Sequence, residues 1–137
     1  MKTHTTNYFN TFIEVAEDCP AKNGKTPPIK EDKSIAGIQF EMITQSPYNY
    51  TSDEILFYCY ATKKDVKGNE LEAEKEIFFS KGQPCLRSSP LTKRYGWGLH
   101  CNEEGKIALY SKGTSDYDKY RNDKSLKIVK AMRSKKA

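Results

Sequence analysis

Residues 78–111 read FFSKGQPCLRSSPLTKRYGWGLHCNEEGKIALYS and hold the chain's one Trp, two of its four Cys and one of its two His. Ser89 followed by Pro90 is a helix N-cap followed by proline at the first helical position, where a missing N–H costs nothing. A short helical turn is therefore predicted over 90–95. Gly96-Trp97-Gly98 then releases the chain into WGLHC, and KIALYS follows after NEEG. A four-residue connection ending in Gly between two apolar runs signals a β-hairpin, about 97–102 with 106–111.

The same stretch carries the candidate site. No Asp or Glu occurs from Lys81 to Asn102, while Arg87, Lys93 and Arg94 alternate with Ser88, Ser89, Tyr95 and Trp97. A helix start presents free N–H groups and partial positive charge to anions, and guanidinium groups bind carboxylates or phosphates through charge-assisted hydrogen bonds. Arg87, Ser88, Ser89, Lys93 and Arg94 are thus the expected contacts for an anionic or phosphorylated small ligand. Tyr95 and Trp97 supply an apolar or stacking wall. The competing assignment pairs Arg87 and Arg94 with glutamates of an acidic helix and makes Trp97 a core residue.

Working outward, 137 residues suit one domain. A composition that is 36% hydrophobic and 30% charged is polar, yet 9 Tyr, 6 Phe and the Trp supply large units of burial. The expectation is a folded domain over 1–137, with a flexible 19–33 loop and a basic tail from about 133. The N-terminus has no apolar run of signal-peptide length and no stretch approaches a membrane span, so a cytoplasmic protein without a membrane partner is expected. Cys19, Cys59, Cys85 and Cys101 lack CxxC or finger spacing and read as reduced thiols. His100 and Cys101, as strand neighbours, point to opposite faces, so neither a metal site nor a cofactor is expected. Residues 112–137 hold nine Lys and Arg against three Asp. Such an end is a solvated charge run or a nucleic-acid or protein contact.

In chain order, Thr11–Ala16 reads as a first strand stopped by Asp18-Cys19-Pro20. Three Pro and four Lys mark 19–33 as a loop, either a lid or a frayed surface segment. Gly24-Lys25-Thr26 resembles the end of a phosphate-binding loop, but Cys19 stands where its first Gly belongs and Pro27-Pro28 block the following helix. Asp32 or Ser34 caps a helix through about Thr44, with Ile35, Ile38, Met42 and Ile43 on its core face. Thr51 and Glu54 form a capping box that favours a helix to about Lys64, although a short apolar run there is equally compatible with a buried strand. Asn69 with Glu72 opens a third helix closing at Lys81-Gly82, its glutamates a solvated face. A short helix over 117–122 follows, and 126–132 is compatible with a last strand or a helix, of which the strand is chosen. Short strands mixed with capped helices indicate an α+β fold, a small antiparallel sheet packed against three or four short helices.

The segments TNYFNTFIEVAEDCP, IAGIQFEMI, PYNYTSDEILF, FFSKGQPCLRSSPLTKRYGWGLH, GKIALY and KAMRSKKA together resemble a family of small bacterial proteins of unknown function, over nearly the whole chain. The resemblance implies a stand-alone cytoplasmic domain and carries over no activity, cofactor or catalytic residue. Three functional readings follow, in this order. The first is a non-catalytic module for an anionic small ligand at the 85–97 segment. The second is a nucleic-acid or protein interaction module using the basic C-terminal region with Tyr110, Tyr117 and Tyr120. The third is an enzyme with Cys85 as nucleophile and His100 as base.

Overall fold

Strand β1 (Thr11–Glu14) is buried along its whole length, so layers must cover both of its faces. The computed structural model describes residues 5–28 and 34–133. Residues 29–33 of the predicted loop and the tail from 134 onward lie outside the described residues. Strands β2 (Trp97–Cys101) and β3 (Ile107–Ser111) form the expected hairpin, and β4 (Lys127–Lys130) completes a sheet of order β3-β2-β1-β4. The hairpin turns at Gly105, whose φ of 81° is a left-handed conformation that favours glycine.

The sheet is mixed rather than wholly antiparallel. β1 pairs antiparallel with β2, but β4 runs parallel to β1, with Phe12 opposite Ile128 and Ile13 opposite Val129. The cause is helix α5 (Ser115–Arg121), which crosses one face of the sheet between β3 and β4. A helical crossover returns the chain in its original direction, and here it delivers β4 to the free edge of β1. Thr114 caps α5 by accepting from the Tyr117 N–H at 3.3 Å, so the helix begins two residues before the predicted start.

The other face is covered by α1 (Ile35–Gln45), α2 (Ser52–Lys64) and α4 (Pro90–Lys93), with α3 (Leu71–Phe79) packed beside α2. Five α-helices are present among the described residues where three or four were expected, because the 90–95 turn itself closes as an α-helix. Ser34 caps α1, accepting from the Gly37 N–H. The capping box forms as the residues imply: Thr51 Oγ1 accepts from the Glu54 N–H and Glu54 Oε1 from the Thr51 N–H. That start, with Ile55 and Cys59 buried four residues apart, makes 52–64 a helix. α3 opens differently: a 3₁₀ turn over Gly68–Glu70 precedes it, no side chain caps it, and it stops at Phe79. There the Gln83 side chain donates to the Phe78 carbonyl at 2.7 Å and takes up a terminal acceptor that Lys81 and Gly82 were expected to serve.

The strand alternation sorts the core into two clusters. Ile13, Leu99, Cys101 and Ile107 face the helical layer with Ile38, Ile43 and Ile55. Phe12 and Val15 pack with Tyr117 on the α5 side, where Phe12 meets the Tyr117 ring edge-on at 5.1 Å. Arg121 reaches Glu14 at 3.1 Å and ties α5 to the central strand.

Gly98 faces this second cluster, and a Cβ there would stand 2.6 Å from the Phe12 ring and 2.7 Å from that of Tyr117. Both rings are buried and cannot swing aside. We expect Gly98→Ala to lower unfolding stability in urea by about 1–3 kcal/mol, the usual cost of overpacking, whereas Gly82→Ala, with open space around it, should have the small effect of an exposed substitution.

Candidate functional site

The 85–97 segment divides as it folds. Residues 86–88 form a 3₁₀ turn that leads into α4. The Arg87 Nε donates to the Lys130 carbonyl at 2.7 Å, and the Arg87 carbonyl accepts from the Met132 N–H at 2.9 Å. Arg87 thereby fastens the turn to the end of β4 and does not pair with the acidic helix. Tyr95 and Trp97 both bond the 23–25 segment instead, the Lys25 N–H donating to the Tyr95 carbonyl and the Trp97 indole to the Lys25 carbonyl at 2.9 Å, while the Tyr95 side chain packs against the core. Trp97 also leans on Phe40, with ring centroids 5.5 Å apart. Lys93 is half-buried and Arg94 exposed. Of the predicted ligand contacts, Ser88 and Ser89 come together with Cys85 on the wall of a single groove, and Arg87, Lys93, Arg94, Tyr95 and Trp97 do not line it.

That groove lies between α1, α2, the end of α3 and residues 83–90, with a volume of about 700 Å³. Its walls are largely apolar, from Ile35, Leu56, Cys59, Phe78, Pro84 and Pro90. Lys63 and Lys64, on the last turn of α2, also line it. Lys64 also bonds Glu74 and the Tyr60 hydroxyl, which raise its pKa and hold it cationic. Burial pushes the Cys59 thiol up to about 12, so it lines the groove as a neutral group.

Gln39 also lines the groove, from the buried face of α1. Its Oε1 accepts from Ser89 Oγ at 2.5 Å, and Ser89 Oγ accepts in turn from the Leu91 N–H. Gln39 is a residue that sequence reasoning passed over. The available signal was a lone amide among Ile35, Ile38, Met42 and Ile43 on a helix face otherwise assigned to the core. A second cavity, of about 610 Å³, lies on the far side of α2. Its Asp53 carboxylate is already taken by Thr5 and Thr6.

Cys85 and His100 are not brought together. Cys85 Sγ contacts the Tyr8 hydroxyl at 3.3 Å and neighbours Cys101, whose side chain faces the helical layer. His100 projects from the opposite face, as the register of β2 requires, and stacks on Tyr120 at 4.4 Å. Its Nδ1 lies 2.7 Å from the Tyr48 hydroxyl, which lies 2.8 Å from that of Tyr110. Tyr110 and Tyr120 are thus engaged with each other and with this cluster, and Tyr117 is 3% exposed with its hydroxyl accepting from the Val15 N–H. The three tyrosines expected beside the basic tail serve packing. Tyr48 holds a φ of 58°, rarely adopted by a bulky residue, and its N–H donates to the Ile107 carbonyl while its ring reaches the cluster.

Burial drives the His100 imidazole below its ordinary pKa of 6.5, against the opposing pull of the Asp123 carboxylate. The groups facing it are Tyr48, Tyr110 and Tyr120, of which burial raises Tyr48 and Tyr110 and so keeps those phenols neutral, and Asp123. Because the unfolded histidine takes up its proton first, stability is fully present above pH 6.5 and falls as the pH drops from there through the depressed folded value. The melting temperature should fall between pH 7 and 5.5, and His100→Gln should flatten that dependence. An unchanged slope in the variant would assign the pH effect elsewhere.

Among the described residues no helix is long and apolar enough to cross a membrane. Comparison with curated proteins and with solved structures finds no match. A family model does match, over residues 3–137, and the chain belongs to that family, a family of unknown function designated DUF6157.

Proposed function

We propose that this protein binds a small amphiphile with an apolar body and one anionic head, a carboxylate or a phosphate, in the groove between α1, α2 and residues 83–90. The observation that carries this reading is the pairing of a largely apolar cavity of about 700 Å³ with two lysines in its lining. That volume falls within the range, about 300–1,000 Å³, typical of small-molecule sites. The sequence-based expectation of an anion site at 85–97 is thereby moved: Cys85, Ser88, Ser89 and Pro90 contribute the wall, and the cations come from α2. A ten-carbon chain gains about 7 kcal/mol from burial at roughly 0.8 kcal/mol per methylene. Association offsets at least about 4 kcal/mol of that gain. With a modest contribution from a solvent-screened head group, dissociation constants on the order of 1–5 mM are expected for simple probes.

Cys85 provides a reporter within the groove, while Cys19 lies outside it. Decanoate and decyl phosphate should each slow alkylation of Cys85 by iodoacetamide, read residue by residue by mass spectrometry, and leave Cys19 unaffected. In Lys63→Gln/Lys64→Gln both anions should bind about 3- to 10-fold more weakly, with the neutral probe decanol unchanged. Equal alkylation of Cys85 with and without saturating probe would end this reading.

A further inference from the structure

We infer, on the reading that this groove is the ligand site, that Gln39 recognises a neutral hydrogen-bond acceptor, a ketone or amide carbonyl, on the ligand's apolar body. Gln39 is 1% exposed, on the buried face of α1. Its amide orientation follows from Ser89. The Ser89 Oγ accepts from the Leu91 N–H at 3.2 Å, leaving its single proton for Gln39 Oε1 at 2.5 Å. The carbonyl end of the Gln39 amide therefore faces Ser89, and the NH₂ end points the other way.

That NH₂ group donates to no acceptor among the described residues. No fully occluded side-chain nitrogen or oxygen among the described residues lacks a partner, so Nε2 keeps some accessible surface, and the groove is the cavity that Gln39 lines. A donor in this position is satisfied by water until a ligand displaces it. A purely hydrocarbon ligand then leaves two N–H groups unpaired in an apolar pocket, whereas a ligand with a correctly placed oxygen restores the bond.

The acceptor is neutral because of what surrounds it. The nearby walls from Leu56, Phe78 and Pro90 bring no cation, and Cys59 is held protonated. A carboxylate buried there would lack a counter-charge beside it, since the cations that line the groove, Lys63 and Lys64, lie on α2 about one helical turn beyond Cys59 and Tyr60. The groove thus separates two chemistries along one ligand, with the anionic head at the lysines and the carbonyl at Gln39.

The experiment compares decanoate with a series of mono-oxodecanoates that carry the ketone at successive carbons, titrated against wild type and Gln39→Met, which keeps the volume and removes the amide. For the best-placed ketone, the oxo-to-parent affinity ratio should fall by about fivefold or more from wild type to the variant. The side-chain NH₂ signal of Gln39 in wild type should also move downfield with that ketone and not with decanoate, a readout independent of whether the variant folds. Binding of decanoate with no ketone position preferred, and no movement of the Gln39 signal, would overturn the assignment to Gln39 and leave the groove reading standing. Failure of every probe to bind would remove both.

Discussion

Burial of β1 on both faces is the constraint on which the remaining architecture depends. A four-residue strand in the middle of a four-stranded sheet can bury Ile13 only under a helical layer and Phe12 only under a second layer on the opposite side. The first demand is met by α1, α2 and α4, the second by α5. Placing α5 there requires the chain to cross from the β3 edge to the β1 edge, and this crossover makes β4 parallel. Gly98 reflects the second demand, since a side chain on that face would strike Phe12 and Tyr117.

The groove results from how the helical layer closes. α4 is only one turn long, and its cap residue Ser89 is buried against α1, where its hydroxyl serves the helix N-terminus and the Gln39 carbonyl together. A buried polar pair of this kind persists because each partner would otherwise be desolvated without compensation. It also orders one half of the Gln39 amide and leaves the other half facing a cavity. Packing and recognition are coupled at this point: the contact that docks α4 onto α1 also sets the direction of the donor.

The His100 cluster shows the same economy on the other face. Tyr48, Tyr110 and Tyr120 gather around an imidazole that burial keeps neutral, joining the 46–50 loop, β2, β3 and α5. This arrangement ties His100 to the integrity of the α5 layer and separates it from Cys85 by the full thickness of the sheet.

Much of the local structure was legible in the residues alone. The Ser34, Thr51 and Ser89 caps and the Asn102–Gly105 turn are settled by interactions within a few neighbours, and local chemistry decides them. The α+β class and the family membership were legible for the same reason, as properties of segments. The parallel placement of β4, the removal of Arg87 to the Lys130 carbonyl and the division of the 85–97 segment were not, because each depends on which distant segment arrives alongside. Gln39 is the clearest instance. By itself the sequence determined that an amide sits on the apolar face of α1; only the tertiary structure decided that Ser89, fifty residues away, takes one end of it while a cavity receives the other, since a hydrogen bond is specified by geometry and the chain sets that geometry only when folded.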